Sequence, residues 1–222
     1  MLEHFLTLSD FYQRGCDFLL DFLFPKAEAV REIETADPEA FATKHAYRGV
    51  VPQAHALLTY RNRPVRLAIW ELKYRKNGKI ARLFADILEH GLENTPEHEL
   101  TGQPANKKIP TITCIPLSEK RLRERGYNQI EQVLRLLDKS RFDIRPELLK
   151  RNRHTVPQAT LSRAKRLRNL TGCFEAVSPA EIRGKQIILI DDVLTTGSTL
   201  TEARKTLLEA GASEVVCIAL AH

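Results

Sequence analysis

The chain has 222 residues, which is long enough to bury a core. Of these residues 43% are hydrophobic and 28% charged, a composition that excludes collagen-like, coiled-coil and low-complexity proteins. No uncharged apolar stretch approaches the roughly 18 residues of a membrane-spanning helix, and the first residues lack the basic start of a secretory signal, so we expect a cytoplasmic protein that does not insert into membranes. The net charge is +6, but residues 107–170 carry 17 lysines and arginines against 6 acidic residues, and we therefore expect any anionic ligand to meet the middle of the chain.

The first fifty residues predict a small helical region. Residues 1–25 place apolar side chains at helical spacing, Phe11, Phe18 and Phe22 among them, and the pattern stops at Pro25, which predicts one or two amphipathic helices. Residues 26–50 are charged and weakly patterned, so that either a short helix or a mobile linker fits them.

A strand, two helices and a polar connection follow. Residues 54–58 predict a strand, and residues 65–74 and 80–92 predict helices separated by an Asn-Gly turn. Residues 93–108 are polar and contain two prolines and a glycine, which predicts a connecting loop.

From Ile109 onward the pattern changes to short apolar strands separated by helices. The predicted strands are 111–115, 141–144, 187–190 and 213–220, and the predicted helices are 128–137 and 199–210. Strands that alternate with helices indicate an α/β fold with a parallel sheet and helices on both of its faces.

Residues 187–200 form the most informative segment, because an apolar strand runs there into two acids and a loop of small residues. Asp191 and Asp192 can accept hydrogen bonds from the 2′- and 3′-hydroxyls of a ribose. The loop offers backbone N–H groups and hydroxyls at a helix N-terminus, where a phosphate is favoured, and its residues are Thr195, Thr196, Gly197, Ser198 and Thr199. The segment therefore predicts a site for ribose 5-phosphate. A P-loop is excluded because Ser198, and not lysine, follows Gly197.

This stretch resembles the phosphoribosyl pyrophosphate (PRPP) signature of type I phosphoribosyltransferases. The resemblance implies that the loop after strand 111–115 holds the pyrophosphate together with Mg2+. The residues in place to do so are Ser118, Lys120, Arg121 and Arg125. It further implies that the basic, polar stretch 151–170 is a flexible hood loop that closes over PRPP, with Arg153, Thr155, Gln158 and Arg163 in it.

Three segments together resemble the ComF/GntX family, competence-associated proteins with a type I phosphoribosyltransferase domain. They are the PRPP signature, the stretch R-L-R-E-R-G-Y-N-Q at 121–129, and the stretch at 153–169. Upstream, Leu72, Lys73 and Tyr74 are similar to the family's segment before the domain, and F-L-F-P at 22–25 to its opening. The order of motifs also resembles glutamine PRPP amidotransferase, but the chain starts Met1-Leu2-Glu3 and offers no N-terminal nucleophilic cysteine, so glutamine transfer is not expected.

In one respect the sequence departs from the family. Many members carry a zinc module of C-x-x-C pairs after the Phe-Pro, whereas Glu28 and Arg31 occupy the corresponding places in this chain and no C-x-x-C occurs anywhere in it. A four-thiolate site needs all of its ligands, so we expect no bound zinc.

The expectation is thus a twisted, mainly parallel sheet of type I phosphoribosyltransferase kind at 51–222, with its core from about residue 105, after a helical region at 1–50. The expected ligand is magnesium-bound PRPP, with Asp191 and Asp192 as the catalytic pair. The alternative is a non-catalytic accessory of DNA uptake that binds single-stranded DNA through the basic middle, with Tyr127 or Phe142 stacking on a base. The acceptor and the oligomeric state, monomer or homodimer, are left open.

Overall fold

A computed structural model describes residues 28–49, 54–94, 109–152 and 172–222. These parts form a five-stranded parallel sheet covered by helices on both faces, so the predicted α/β architecture is confirmed. No helix in the described ranges is long and apolar enough to cross a membrane. The helices predicted for residues 1–25 lie outside the described residues.

The elements alternate along the chain as the apolar pattern predicts. The strands are β1 His55–Leu58, β2 Thr111–Cys114, β3 Asp143–Ile144, β4 Leu149–Arg151, β5 Phe174–Ala176, β6 Gln186–Val193 and β7 Glu214–Ala221. The helices are α1 Glu28–Glu34, α2 Pro38–His45, α3 Arg63–Tyr74, α4 Gly78–Asn94, α5 Glu119–Arg125, α6 Gln129–Leu134, α7 Pro179–Ile182 and α8 Ser198–Glu209, and a short 3-10 turn covers Pro146–Leu148.

The sheet has the order β1-β7-β6-β2-β3, and every pair in it is parallel. Strands β4 and β5 form a separate antiparallel pair. The chain leaves β2 toward β3 on one side and leaves β6 toward β7 on the other. The order therefore reverses between β2 and β6, and the carboxyl ends of these two strands flank the crevice in which parallel α/β sheets bind ligands.

Two apolar layers lie on the two faces of the sheet. Because side chains alternate along a strand, Ile188 and Ile190 of β6 face the layer formed with α3, α4 and α6, whereas Ile187 and Leu189 face the layer formed with α8. All four are at most 5% exposed. This two-sided burial explains why the strand is an uninterrupted apolar run in the sequence.

Residues 28–49, for which the sequence left a helix or a linker open, form two helices. Helix α2 begins at a sequence-encoded cap, because the Asp37 carboxylate accepts a hydrogen bond of 2.8 Å from the N–H of Ala40 and proline follows at the first helical position. Ile33 of α1 and Phe41 of α2 join the same apolar layer as α3 and α4. The domain boundary placed at residue 50 stays a prediction.

Several boundaries differ from the sequence prediction; the helix predicted at 128–137 covers Gln129–Leu134, and the strand predicted at 141–144 covers Asp143–Ile144. Strand β6 extends three residues beyond 190 and includes both acids, since its pairing with β7 continues to Val193. Helix α4 continues to Asn94, so the first two residues of the predicted loop 93–108 are helical and residues 95–108 lie outside the described ranges. The basic stretch after β2, expected as a loop, forms helix α5, because Ser118 caps its first turn and Gly126 ends it at a positive φ of 75°.

Candidate active site

The predicted site residues that the structure describes lie on segments that leave the carboxyl edge of the sheet, where the strand order reverses. The N–H of Ile115 donates a 3.0 Å hydrogen bond to the carbonyl of Ile190, which brings the end of β2 beside the acid pair of β6. Ser118 and helix α5 follow on the β2 side, and the loop 195–199 and helix α8 follow on the β6 side. The two segments that the sequence assigned to pyrophosphate and to 5′-phosphate thus flank the same crevice.

Asp192 is almost fully buried, at 8% exposure, and two side chains hold its carboxylate. The ammonium of Lys73, from α3, lies 3.0 Å from Oδ2, and both side chains of this ion pair are less than one-fifth exposed. The amide Nε2 of Gln129, from α6, donates a hydrogen bond to the same oxygen. A buried carboxylate needs such partners because its desolvation is costly.

The motif R-G-Y-N-Q explains how Lys73 is brought to this position. The hydroxyl of Tyr127 donates a 2.7 Å hydrogen bond to the carbonyl of Leu72 and accepts one of 3.0 Å from the N–H of Lys76. Asn128 caps α6 through the N–H of Ile130 and donates a 3.0 Å bond to the carbonyl of Ile115. The motif therefore connects the end of α3, the end of β2 and the acid pair.

Asp191 has a different environment from its neighbour. Its Oδ1 accepts a 2.8 Å hydrogen bond from the N–H of Asp192. Burial, together with the negative charge of Asp192, raises the pKa of Asp191 to about 7, although Lys73 and Arg121 act in the opposite direction. The two carboxyl groups therefore carry fewer than two negative charges near neutral pH.

The loop 195–199 has the geometry of an anion cradle. Gly197 adopts a left-handed conformation with φ of 76° and is the N-cap of helix α8, a position from which it offers no side chain to the first turn. The hydroxyls of Thr196 and Ser198 lie 2.9 Å apart, within hydrogen-bond distance. Thr195 and Thr196 are exposed to solvent. The loop is anchored at its start, where Leu194 bonds to Ala221 and to the His222 ring, each at 2.8 Å.

The four residues predicted for pyrophosphate take different positions. Ser118 caps α5 by accepting a 3.4 Å bond from the N–H of Arg121, and Arg121 is exposed and near enough to influence the pKa of Asp191. Lys120 is exposed, 3.9 Å from Glu124. Arg125 donates to Gln129 at 3.1 Å and lies over the ring of Tyr74. Arg121 thus acts on the acid pair through its charge, whereas Arg125 is linked to Asp192 through Gln129.

Sequence reasoning assigned no role to three residues of the site. Lys73 and Gln129 were predicted only as parts of motifs that resemble the family's. Their contacts with Asp192 could not be predicted from the sequence, because the three residues lie on separate elements, α3, α6 and β6. Arg151 was counted as the first residue of the predicted hood stretch 151–170, whereas the structure places it at the end of β4. It is half-buried over the ring of Phe174, its pKa is lowered by burial, and the charges of Arg121 and Asp191 also act on it.

The hood-loop residues Arg153, Thr155, Gln158 and Arg163 lie outside the described residues, so their predicted role is unchanged. Glu28 and Arg31, which stand where the family has zinc ligands, are exposed residues at the two ends of the first turn of α1. Within the described part, no group of three or more His, Cys, Asp or Glu side chains could hold a metal ion.

The raised pKa of Asp191 predicts a pH-dependent stability. Ionising this group costs free energy in the folded state, so its contribution lowers the free energy of unfolding as pH rises from about 4, the unfolded pKa, to about 7. Asp191→Asn keeps the acceptor for the N–H of Asp192 but removes the charge. We expect this variant to be more stable than wild type by on the order of 2 kcal/mol at pH 8, with the difference shrinking toward zero near pH 4.

Urea unfolding at a series of pH values measures this difference. The exposed Glu39, in the first turn of α2, supplies the matched control Glu39→Gln, for which we expect no comparable pH-dependent gain. A difference that does not change between pH 4 and pH 8 would contradict the raised pKa.

Comparison with known proteins gives one matching domain family and several relatives. Residues 122–222 match the family described as phosphoribosyl transferase domain. The chain is 34% identical over 166 residues to Competence protein F of Haemophilus influenzae, covering 72% of this chain and 68% of that protein. It is 32% identical over 155 residues to the DNA utilization protein YhgH of Escherichia coli O157:H7, covering 68% of this chain but only 64% of that protein.

Among solved structures, a similar one is a glutamine PRPP amidotransferase from B. subtilis complexed with ADP and GMP. It shares 17% identity and has a TM-score of 0.38, and the match covers 68% of this chain and 30% of that one. The assignment of a type I phosphoribosyltransferase domain follows from the domain family together with the parallel sheet described above.

Proposed function

This chain belongs to the ComF family of competence proteins that carry a phosphoribosyltransferase domain, and from this premise we propose that it binds PRPP with Mg2+ at the carboxyl edge of its sheet. The chain spans about two thirds of the length of these relatives, and the proposal concerns the domain itself. A transfer of 5-phosphoribose to an acceptor is the reaction that such a site would support.

A single observation carries the proposal. The strand that holds both acids runs within four residues into a left-handed glycine at which helix α8 begins. Carboxylates that suit ribose hydroxyls and N–H groups that suit a phosphate are therefore close together along one segment, which supports the proposal. Ribose 5-phosphate carries the complementary groups, because it has two neighbouring hydroxyls at one end and a phosphate at the other.

Each part of the ligand has a matching partner in the proposal. The N–H groups of residues 197–199 and the hydroxyls of Thr196 and Ser198 would hold the 5′-phosphate. Both contacts that hold Asp192 fall on Oδ2, so Oδ1 is the oxygen that would accept a ribose hydroxyl, and Asp191 would bind the other hydroxyl. Binding of the 5′-phosphate and of the two ribose hydroxyls would hold C1, the ribose carbon at which transfer takes place, in a fixed position.

The pyrophosphate would lie on the β2 side of the crevice. Arg121 lies on the helix that Ser118 begins after β2 and lowers the pKa of Asp191, and the charge of Asp191 in turn acts on Arg151. When bound, Mg2+ supplies charge neutralisation for the pyrophosphate oxygens. As the bond between C1 and the pyrophosphate oxygen breaks, positive charge develops at C1, and the negative charge of the acid pair would stabilise it.

Calorimetric titration tests the proposal through its magnesium dependence. We expect one PRPP per chain in the presence of Mg2+ and much weaker binding when the metal is chelated, because the pyrophosphate charges are then neutralised only in part. Ribose 5-phosphate, which lacks the pyrophosphate, should bind more weakly but independently of Mg2+. Equal PRPP binding with and without the metal would contradict the magnesium part of the proposal.

A second candidate function, binding of single-stranded DNA, is favoured by a row of aromatic and cationic side chains beside this site. Trp70 and Tyr74 are 43% and 57% exposed on α3, with ring centroids 5.7 Å apart. Arg75 lies 5.5 Å from the centre of the Trp70 ring and Arg125 lies 5.0 Å from that of Tyr74. Rings that alternate with cations suit stacked bases and their phosphates.

The two aromatic residues suggested by the sequence fit this role less well. Phe142 is only 7% exposed, packed in the core, so little of its ring could meet a base. Tyr127 is half-buried, with its hydroxyl bonded to helix α3. Sequence periodicity alone could not separate these rings from Trp70 and Tyr74, because all four lie in or beside amphipathic segments.

The double variant Trp70→Ala/Tyr74→Ala is expected to bind labelled oligothymidylate at least about tenfold more weakly than wild type, since each stacked base contributes roughly 1–3 kcal/mol. Fluorescence anisotropy measures the affinity, and the quenching of Trp70, the only tryptophan of the chain, reports stacking directly. The matched control removes two exposed apolar side chains elsewhere, Leu136→Ala/Val177→Ala. Unchanged affinity in the aromatic variant would contradict this surface.

A further inference from the structure

A second cavity lies at the opposite edge of the sheet from the candidate active site. It has a volume of about 1000 Å³ and is formed where β2, β3 and β6 begin, with residues that follow α6 and α7 on its sides. Asp191 is five residues farther along β6 than Gln186, which lines the cavity, so the two sites are about 17 Å apart along the strand. This cavity is therefore distinct from the PRPP crevice, and its volume suits a small ligand.

Positive charge dominates the walls of this cavity. Five cations line it, Arg135, Lys139, Arg145, Arg183 and Lys185, against the two carboxylates of Asp143 and Glu147. The Asp143 carboxylate is shared by two of these cations, because it accepts a hydrogen bond of 2.8 Å from Lys185 and one of 2.9 Å from Arg145. Arg135 and Arg145 also pair with Glu131 and Glu181, which do not line the cavity, and among the lining residues the cations remain in excess.

Two of the cations are available to a ligand. Lys139 and Arg183 both line the cavity, are exposed and form no ion pair with another described residue. Gly184, at a positive φ of 70°, follows Arg183 and turns the chain into β6, with open space where a side chain would be. A multiply charged anion could therefore enter without displacing a protein carboxylate.

The cavity also has an apolar wall, which a purely inorganic anion would not use. Ile109 is 58% exposed there, and Ile144 and Pro146 are half-buried beside it. An exposed large apolar side chain beside a cluster of cations suits a ligand that carries a ring system at one end and several negative charges at the other.

From this combination of volume, charge and apolar wall we propose that the cavity binds a nucleoside triphosphate. The phosphates lie toward Lys139 and Arg183, and the base lies against Ile109. Binding at this edge does not require the acid pair, so the site is independent of the proposed PRPP function.

Calorimetry with ATP tests the proposal. We expect one ATP per chain with wild type and with Asp191→Ala, and at least about tenfold weaker binding to Lys139→Glu/Arg183→Glu, because two charge-assisted contacts are lost. The control Lys44→Glu/Lys205→Glu reverses two exposed lysines on α2 and α8, away from the cavity, and should keep the wild-type affinity. Tripolyphosphate and adenosine should each bind at least about tenfold more weakly than ATP, since each uses only one part of the site.

Several results would overturn the proposal. They are absence of ATP binding to wild type, full affinity in Lys139→Glu/Arg183→Glu, and loss of binding in Asp191→Ala, which would assign ATP to the PRPP crevice. Tripolyphosphate binding as tightly as ATP would mean that the apolar wall has no role. Displacement of ATP by oligothymidylate would assign the cavity to nucleic acid instead. None of these outcomes depends on whether PRPP binds.

Discussion

Replacing Lys73 by methionine is expected to lower the free energy of unfolding by about 3 kcal/mol, because it leaves the carboxylate of Asp192 buried with only Gln129 as a partner. Methionine keeps much of the volume of the lysine stem, so the loss reports the charge and not a cavity. Urea unfolding at pH 8 measures the change. The double variant Lys73→Met/Asp192→Asn removes the unpaired charge as well, and we expect it to recover more than half of the lost stability.

The matched control is Lys205→Met, which breaks an exposed pair with Glu209 whose side chains are more than half exposed. Exposed pairs contribute little, so this change should cost less than about 0.5 kcal/mol. If Lys73→Met is no more destabilising than Lys205→Met, Lys73 and Asp192 are not paired in the folded protein. The R-G-Y-N-Q motif would then have no part in placing Lys73 beside the acid pair.

Replacing Gly197 by valine is expected to weaken PRPP binding by about thirtyfold or more. The φ of 76° is strained for a β-branched residue by roughly 2 kcal/mol, and the loop would relax toward conformations in which its N–H groups no longer converge on one phosphate. The nearest atom to an added Cβ is Leu194 Cδ1 at 3.7 Å, an ordinary contact, so backbone conformation and not a clash causes the effect.

Gly184 provides the control, because its φ of 70° is similar and an added Cβ there meets nothing within 4 Å. Gly184→Val should carry a similar cost in stability and leave PRPP binding unchanged. Calorimetry with Mg2+ and PRPP on both variants separates the two effects. An equal loss of affinity in the two variants would show that strain acts through overall stability and not through the phosphate loop.

Much of the fold could be predicted because the strands of a parallel sheet are buried on both faces and are read directly as apolar runs. Strand β6 and helix α8 are of this kind, since a run of four isoleucines and leucines ends in a glycine-containing loop that opens a helix. The sequence did not show where β6 ends, because the continuation through Asp191 and Asp192 depends on pairing with β7.

The candidate site was predictable only where its residues are adjacent in sequence. The acid pair and the loop 195–199 lie in one segment, whereas Lys73 and Gln129 reach Asp192 from two other helices, and only tertiary packing brings them together. The loop expected after β2 was implied by the family resemblance and not by the residues themselves. Ser118 and Gly126 are the N-terminal and C-terminal capping residues of this stretch, and it forms helix α5.

Calorimetric titration of the wild-type chain and of Asp191→Ala with PRPP in the presence of Mg2+ tests the central claim most directly. The prediction is one site per wild-type chain and at least a roughly hundredfold weaker binding to the variant, since the ribose hydroxyl and the positive charge near C1 lose their carboxylate. Glu39→Gln, an exposed change of the same charge far from the crevice, should bind like wild type. Absence of binding to wild type, or equal binding to wild type and Asp191→Ala, would contradict the assignment of this crevice to PRPP.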